Sequence, residues 1–104
     1  MAPGSPSSVR AVAARAAFVY LLRCGDASLY CGWTFDLDGR LEAHRAGRGA
    51  RYTRSRLPID LAAVRELPDE ASARREEARI KRLPRREKLK IVRAADAGRG
   101  RSAA

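Results

Sequence analysis

"FVYLLRCGDASLYCGWT", residues 18–34, decides the fold. Residues 18–24 and 29–34 are rich in aromatic and β-branched side chains, the composition of strands. The Gly-Asp-Ala-Ser between them supplies turn chemistry, so the stretch predicts a tight hairpin. Each arm carries a tyrosine, Tyr20 and Tyr30. In an antiparallel pair, cross-strand partners have a constant number sum and share a face. The two phenols lie on one face only if that sum is even. That needs an odd loop, such as residues 25–27, or a bulge. A four-residue loop, 25–28, without a bulge would send them to opposite faces.

Downstream, "TFDLDGRLEAHRAG" (residues 34–47) predicts a helix, with Asp36 as N-cap and Gly47 as its C-terminal stop. Leu37, Leu41 and His44 fall on one helical face with Arg40 at its edge. "GRGARYTRSR" (47–56) reads as a loop by composition. "IDLAAVREL" (59–67) reads as a third strand. "PDEASARREEARIKRL" (68–83) opens with turn and cap residues and continues as a helix. Pro84 suits the first turn of another helix over 84–95. The order β-β-α-β-α-α predicts an α+β domain: a small three-stranded antiparallel-type sheet flanked by helices. Residues 17–95 form the expected folded domain. Residues 1–16, opening in Pro, Gly and Ser, and 96–104 are the expected flexible tails.

The chain has 104 residues, enough for one domain with a single modest core. Twenty-two Lys and Arg against twelve Asp and Glu leave a net charge of +10. Such a surface attracts polyanions, nucleic acid first among them. With no long apolar span and no basic amphipathic helix, no membrane partner is expected. Alanine-rich residues 11–22 are interrupted by Arg15, and no leader cleavage site follows. Cys24 and Cys31, the only cysteines, make neither a metal site nor a disulfide framework. They read as small, semi-buried thiols in a reducing cytoplasm.

Taken together, these pieces resemble the GIY-YIG nuclease family, in particular its small single-domain bacterial members. The family's Gly-Ile-Tyr stands here as Phe18-Val19-Tyr20, and its Tyr-Ile-Gly as Tyr30-Cys31-Gly32. Its helical arginine and histidine fall on Arg40 and His44. "GRGARYTRSR" is similar to the basic loop of the small members. Ala73, Glu77 and Lys81 match the spacing of the helix that carries the family's metal-binding glutamate, which lands on Glu77. Phe18 replaces the first glycine of the motif. The asparagine that many larger relatives use has no counterpart, since the chain contains none.

The resemblance implies a metal-dependent endonuclease of nucleic acid, DNA ahead of RNA, in repair or other processing. Its cofactor would be Mg²⁺ or Mn²⁺. Phosphodiester hydrolysis needs an activated nucleophile, charge stabilisation at phosphorus and help for the leaving oxygen. Tyr20 and Tyr30 are assigned as a pair to orient or deprotonate the nucleophile. Arg40 binds the phosphate, since its guanidinium is always charged and can bind in a bidentate fashion. Glu77 holds the metal, and a hard cation accepts one carboxylate and keeps several waters. Helical periodicity does not distinguish Glu77 from Glu76; the resemblance chooses Glu77. His44 shuttles a proton, contacts the phosphate, or is a half-buried structural histidine. Arg48, Arg51, Tyr52, Arg54 and Arg56, with Lys81, are candidates for phosphate contact and base stacking. The alternative is a non-catalytic nucleic-acid-binding module on the same scaffold.

Overall fold

The structure, a computed structural model, describes residues 15–103, with side chains as far as Gly98. Most of the expected N-terminal tail, residues 1–14, lies outside the described residues. Two strands, β1 (Ala17–Arg23) and β2 (Leu29–Thr34), form the hairpin. A third, β3 (Asp60–Leu67), pairs with the free edge of β1. The sheet order is β2-β1-β3, antiparallel throughout.

The hairpin register settles the parity question. Tyr20 faces Gly32 and Leu22 faces Tyr30, so the number sum is even. Tyr20 and Tyr30 are diagonal neighbours on one face. The turn is the odd one: Gly25, Asp26 and Ala27 form a three-residue loop closed by Cys24 N–H to Ser28 O at 2.9 Å. Ala27 takes the left-handed position (φ 70°) that such loops require. The Asp26 carboxylate accepts hydrogen bonds from the backbone N–H and hydroxyl of Ser28, which tightens the turn.

As the central strand, β1 is buried on both faces. Ala17, Val19 and Leu21 pack with Cys31, Ala63, Ala73, Ile80 and Val92 on one side. Tyr20, Leu22 and Cys24 pack with Leu41 and Ile59 on the other. In β3, Leu21 pairs with Ala63 but Leu22 with Leu61, so Ala62 is the extra residue of a bulge. The bulge lets Ala62 and Ala63 both be buried in succession.

Helix α1 (Leu37–Arg45) covers the Tyr20 face, contributing Leu37 and Leu41 to its core. Asp36 caps it by accepting from Gly39 N–H at 3.1 Å, a contact worth about 1 kcal/mol. At the other end Gly47 has φ 80°. Arg48 N–H bonds Ala43 O and Gly47 N–H bonds His44 O, the paired bonds of a Schellman stop. Helices α3 (Glu70–Lys81), capped by Asp69, and α4 (Arg85–Ala103), which follows Pro84, cover the opposite face.

Two differences from the sequence-based expectation have local causes. The segment read as a loop contains a one-turn helix, α2 (Arg51–Arg54). Arg54 N–H and the Thr53 hydroxyl both donate to the Ala50 carbonyl, closing a turn that composition does not announce. Helix α4 runs on to Ala103, past the expected boundary at Ala95. Packing onto the sheet ends at Ala95. Beyond it no proline interrupts the backbone ladder, and the helix continues.

Candidate active site

The sheet face under α1 brings Tyr20, Tyr30 and His44 together. Tyr20 is almost wholly buried, and its ring lies across Gly32, its cross-strand partner. A Cβ at Gly32 would stand 2.5 Å from the Tyr20 oxygen and 2.7 Å from Cζ. The glycine of the second motif is therefore the floor on which the first tyrosine rests. The Tyr20 hydroxyl is 3.1 Å from Nε2 of His44. Tyr30, half-buried, packs against the same imidazole with ring centroids 5.5 Å apart.

His44 is buried and held on both ring nitrogens. Its Nδ1 is 2.7 Å from the Thr53 hydroxyl, which in turn donates to Ala50 O at 3.0 Å. Gly49 backs the ring so closely that a Cβ there would overlap Nδ1 and Cε1. Burial, with the Arg40 charge second, lowers the His44 pKa from its ordinary 6.5, so the ring is neutral at pH 7. Burial pushes the Tyr20 pKa up, and the neighbouring Tyr30 adds to this. Arg40 opposes the shift, while Cys31 and Glu77 reinforce it. Arg40 stands on α1, which covers the Tyr20 face, whereas Glu77 stands on α3, which packs on the opposite face of the sheet.

Glu76 and Glu77, which periodicity left equivalent, have different surroundings. Glu76 accepts from Arg65 Nη1 at 2.8 Å and from Arg79 Nε and Nη2 at 3.0 and 2.8 Å. It lines a cleft between the sheet and α3/α4 with Leu21, Ala63 and Ile91. Among the described residues Glu77 pairs only with Lys81, one turn on, at 3.3 Å. An i,i+4 pair of this kind is worth about 0.3–0.5 kcal/mol, so it does not withhold the carboxylate from a cation. Among the described residues no three His, Cys, Asp or Glu side chains gather as a metal cage. A lone carboxylate of this kind is compatible with Mg²⁺, which accepts one carboxylate and keeps most of its waters.

The basic segment divides in two. Arg48, Arg51 and Arg54 are exposed, with no ion-pair partner among the described residues. Arg56 instead bonds Asp26 at 3.0 Å and the Tyr52 carbonyl at 3.0 Å. Its guanidinium sits 3.8 Å from the centroid of the Tyr52 ring. Tyr52 also stacks on Tyr30, centroids 5.8 Å apart and planes 26° apart. Arg56, Tyr52 and Tyr30 form one stack leading from the hairpin turn into the site. Tyr52 itself remains exposed. Lys81 lies with Glu77 on α3.

Thr53 and Gly49 were not singled out from the sequence. A lone threonine in a polar loop carries no signal of burial. The small residues Gly47, Gly49 and Ala50 are the one hint that the backbone approaches something closely.

The sequence model of the GIY-YIG catalytic domain matches residues 16–90. A UPF0213 protein of Oceanobacillus iheyensis is 49% identical over 75 residues, covering 72% of this chain and 87% of that one. A UPF0213 protein of Streptococcus sanguinis is 46% identical over 76 residues, covering 73% and 87%. The solution NMR structure of a UPF0213 protein of Bacillus halodurans superposes with a TM-score of 0.51 at 42% identity, covering 76% of this chain and 84% of that one. Among the described residues no helix is long and apolar enough to cross a membrane.

Proposed function

The chain belongs to the GIY-YIG nuclease superfamily, and we propose that it is a metal-dependent endonuclease that hydrolyses phosphodiester bonds in DNA. The observation that carries this reading is the Tyr20–His44 hydrogen bond, a buried phenol on a buried imidazole, with Tyr30 packed against the same ring. A phenol with an unperturbed pKa of about 10 is a poor base at neutral pH. Paired with an imidazole that accepts its hydrogen, it becomes a competent one. As a water oxygen attacks phosphorus, its proton passes to the Tyr20 oxygen and the phenol hydrogen passes to His44 Nε2. The bond from phosphorus to the leaving oxygen breaks in line, and the departing alkoxide takes its proton from solvent water. Tyr30, beside the same imidazole, orients the attacking water.

Arg40 stabilises the negative charge that builds on the phosphate oxygens. Glu77 would hold a divalent cation, which when bound polarises the phosphate and the attacking water. Arg48, Arg51 and Arg54 contact backbone phosphates and bring the strand to the site. Nucleic-acid processing, DNA repair included, is the proposed setting, in the cytoplasm.

The test is cleavage of end-labelled duplex, single-stranded, branched and flapped DNAs with Mg²⁺ or Mn²⁺, comparing wild type with Glu77→Ala. Product from wild type alone supports the reading. Equal product from both identifies a contaminant. Tight binding by both with no product identifies a binding module that has kept the scaffold without turnover.

A further inference from the structure

We propose that Thr53 is a positioning residue that fixes His44 in the Nδ1–H tautomer, so that the Nε2 lone pair faces the Tyr20 hydroxyl. The inference follows from counting hydrogens along one buried chain. A carbonyl only accepts, and a threonine hydroxyl has a single hydrogen to give. Thr53 Oγ1 lies 3.0 Å from Ala50 O, which fixes where that hydrogen points. The 2.7 Å contact between Thr53 Oγ1 and His44 Nδ1 then needs a hydrogen from the ring. A neutral imidazole has only one, so Nε2 carries the lone pair. The Tyr20 hydroxyl, 3.1 Å away, must donate to it.

Burial makes this assignment binding. Thr53 is fully buried and His44 is 1% exposed, so water does not offer the ring an alternative partner. Gly49 closes the Nδ1 side. In the opposite tautomer Nε2 would donate to the Tyr20 oxygen, and the Tyr20 hydroxyl hydrogen, whose one hydrogen-bond partner among the described residues is His44, would have no acceptor. A buried polar hydrogen left without a partner is costly, and that cost holds the tautomer. The one-turn helix α2 exists to deliver this hydroxyl: Ala50 O anchors both its backbone and Thr53. A segment whose exposed face is basic thus has an inner face that orients the proton relay.

This inference deepens the nuclease reading and rests on it for its consequence, though not for its geometry. With the tautomer reversed, Nε2 would carry a hydrogen and could not take the one Tyr20 must lose. Thr53 acts through His44 and touches no substrate.

His44 is the only histidine in the chain, so its ring nitrogens can be read in the whole protein. Long-range ¹H–¹⁵N correlation of ¹⁵N-histidine-labelled wild type should show a protonated Nδ1 and an unprotonated Nε2 at pH 7.5. Thr53→Ser, which keeps the hydroxyl, should preserve that pattern; Thr53→Val, which keeps the shape, should lose it to a mixture or to the Nε2–H form. Cleavage should follow, with kcat down about 10²-fold or more in Thr53→Val, near wild type in Thr53→Ser, and DNA affinity unchanged in both. Wild type with the Nε2–H form overturns the proposal without any variant needing to fold. So does Thr53→Val with an unaltered tautomer. If the tautomer pattern holds while wild type cleaves nothing, the tautomer assignment stands and the nuclease reading falls.

Discussion

Gly32→Ala is the sharpest probe of the site's construction, because two effects of opposite sign meet there. Glycine in a strand interior costs about 0.5–1 kcal/mol relative to alanine, so an unobstructed Gly32→Ala would stabilise the protein. The structure places the new Cβ 2.5 Å from the Tyr20 oxygen and 2.7 Å from Cζ, nearly 1 Å inside ordinary contact. Tyr20 is buried and bonded to His44, so it has nowhere to move without cost. Forcing extra volume into a packed core costs about 1–3 kcal/mol. Breaking the Tyr20–His44 bond adds about 1–3 kcal/mol more if a group is left unpaired. The expected net loss is about 2–4 kcal/mol, a large share of a small domain's stability. Urea unfolding followed by the single tryptophan, Trp33, should show the midpoint falling by about 2–4 M at a slope near 1 kcal/mol/M. The Tyr20→Leu background removes the obstacle, and there Gly32→Ala should be neutral or stabilising. That difference is a coupling energy of about 2 kcal/mol or more between cross-strand partners. A Gly32→Ala variant as stable as wild type, or a coupling near zero, would show that the ring does not lie across the glycine.

Arg40→Ala should reduce single-turnover cleavage at saturating DNA by about 10²- to 10³-fold; a loss confined to affinity would reassign Arg40 to binding. Neutralising Arg48, Arg51 and Arg54 should each lower the log–log slope of affinity against salt by roughly one unit on duplex DNA. Arg56→Gln should barely change that slope and should instead loosen the stack on Tyr52 and Tyr30. An Arg56 slope change equal to the others would contradict its tie to Asp26. The pH dependence has a definite sign. The folded-state pKa of His44 lies below its ordinary 6.5, so the unfolded chain binds the proton first as pH falls. His44 stability is then complete above about 6.5 and is lost as pH drops from there toward the folded value. Denaturation of wild type against His44→Gln from pH 8 to 5 should show this loss in wild type only.

How much of the protein the sequence determines depends on how local the physics is. The hairpin follows from side-chain composition around Gly-Asp-Ala-Ser. The ends of α1 follow from Asp36 and Gly47, whose capping bonds reach no further than one turn. Even the condition for Tyr20 and Tyr30 to share a face is arithmetic on residue numbers. Which loop meets that condition is settled by the closing bond from Cys24 to Ser28 and by Ala27 accepting a left-handed backbone. The difference in surroundings between Glu76 and Glu77 is tertiary, because Arg65, a residue of another element, pairs with Glu76 and not with its neighbour. The role of Thr53 is tertiary as well. Its hydroxyl matters only because α1 carries His44 to it and the hairpin carries Tyr20 to His44. Periodicity and capping act over one turn of chain, whereas a hydrogen-bond relay joins residues 24 and 9 positions apart. Only the packed structure brings those together, and only burial makes the direction of each hydrogen matter.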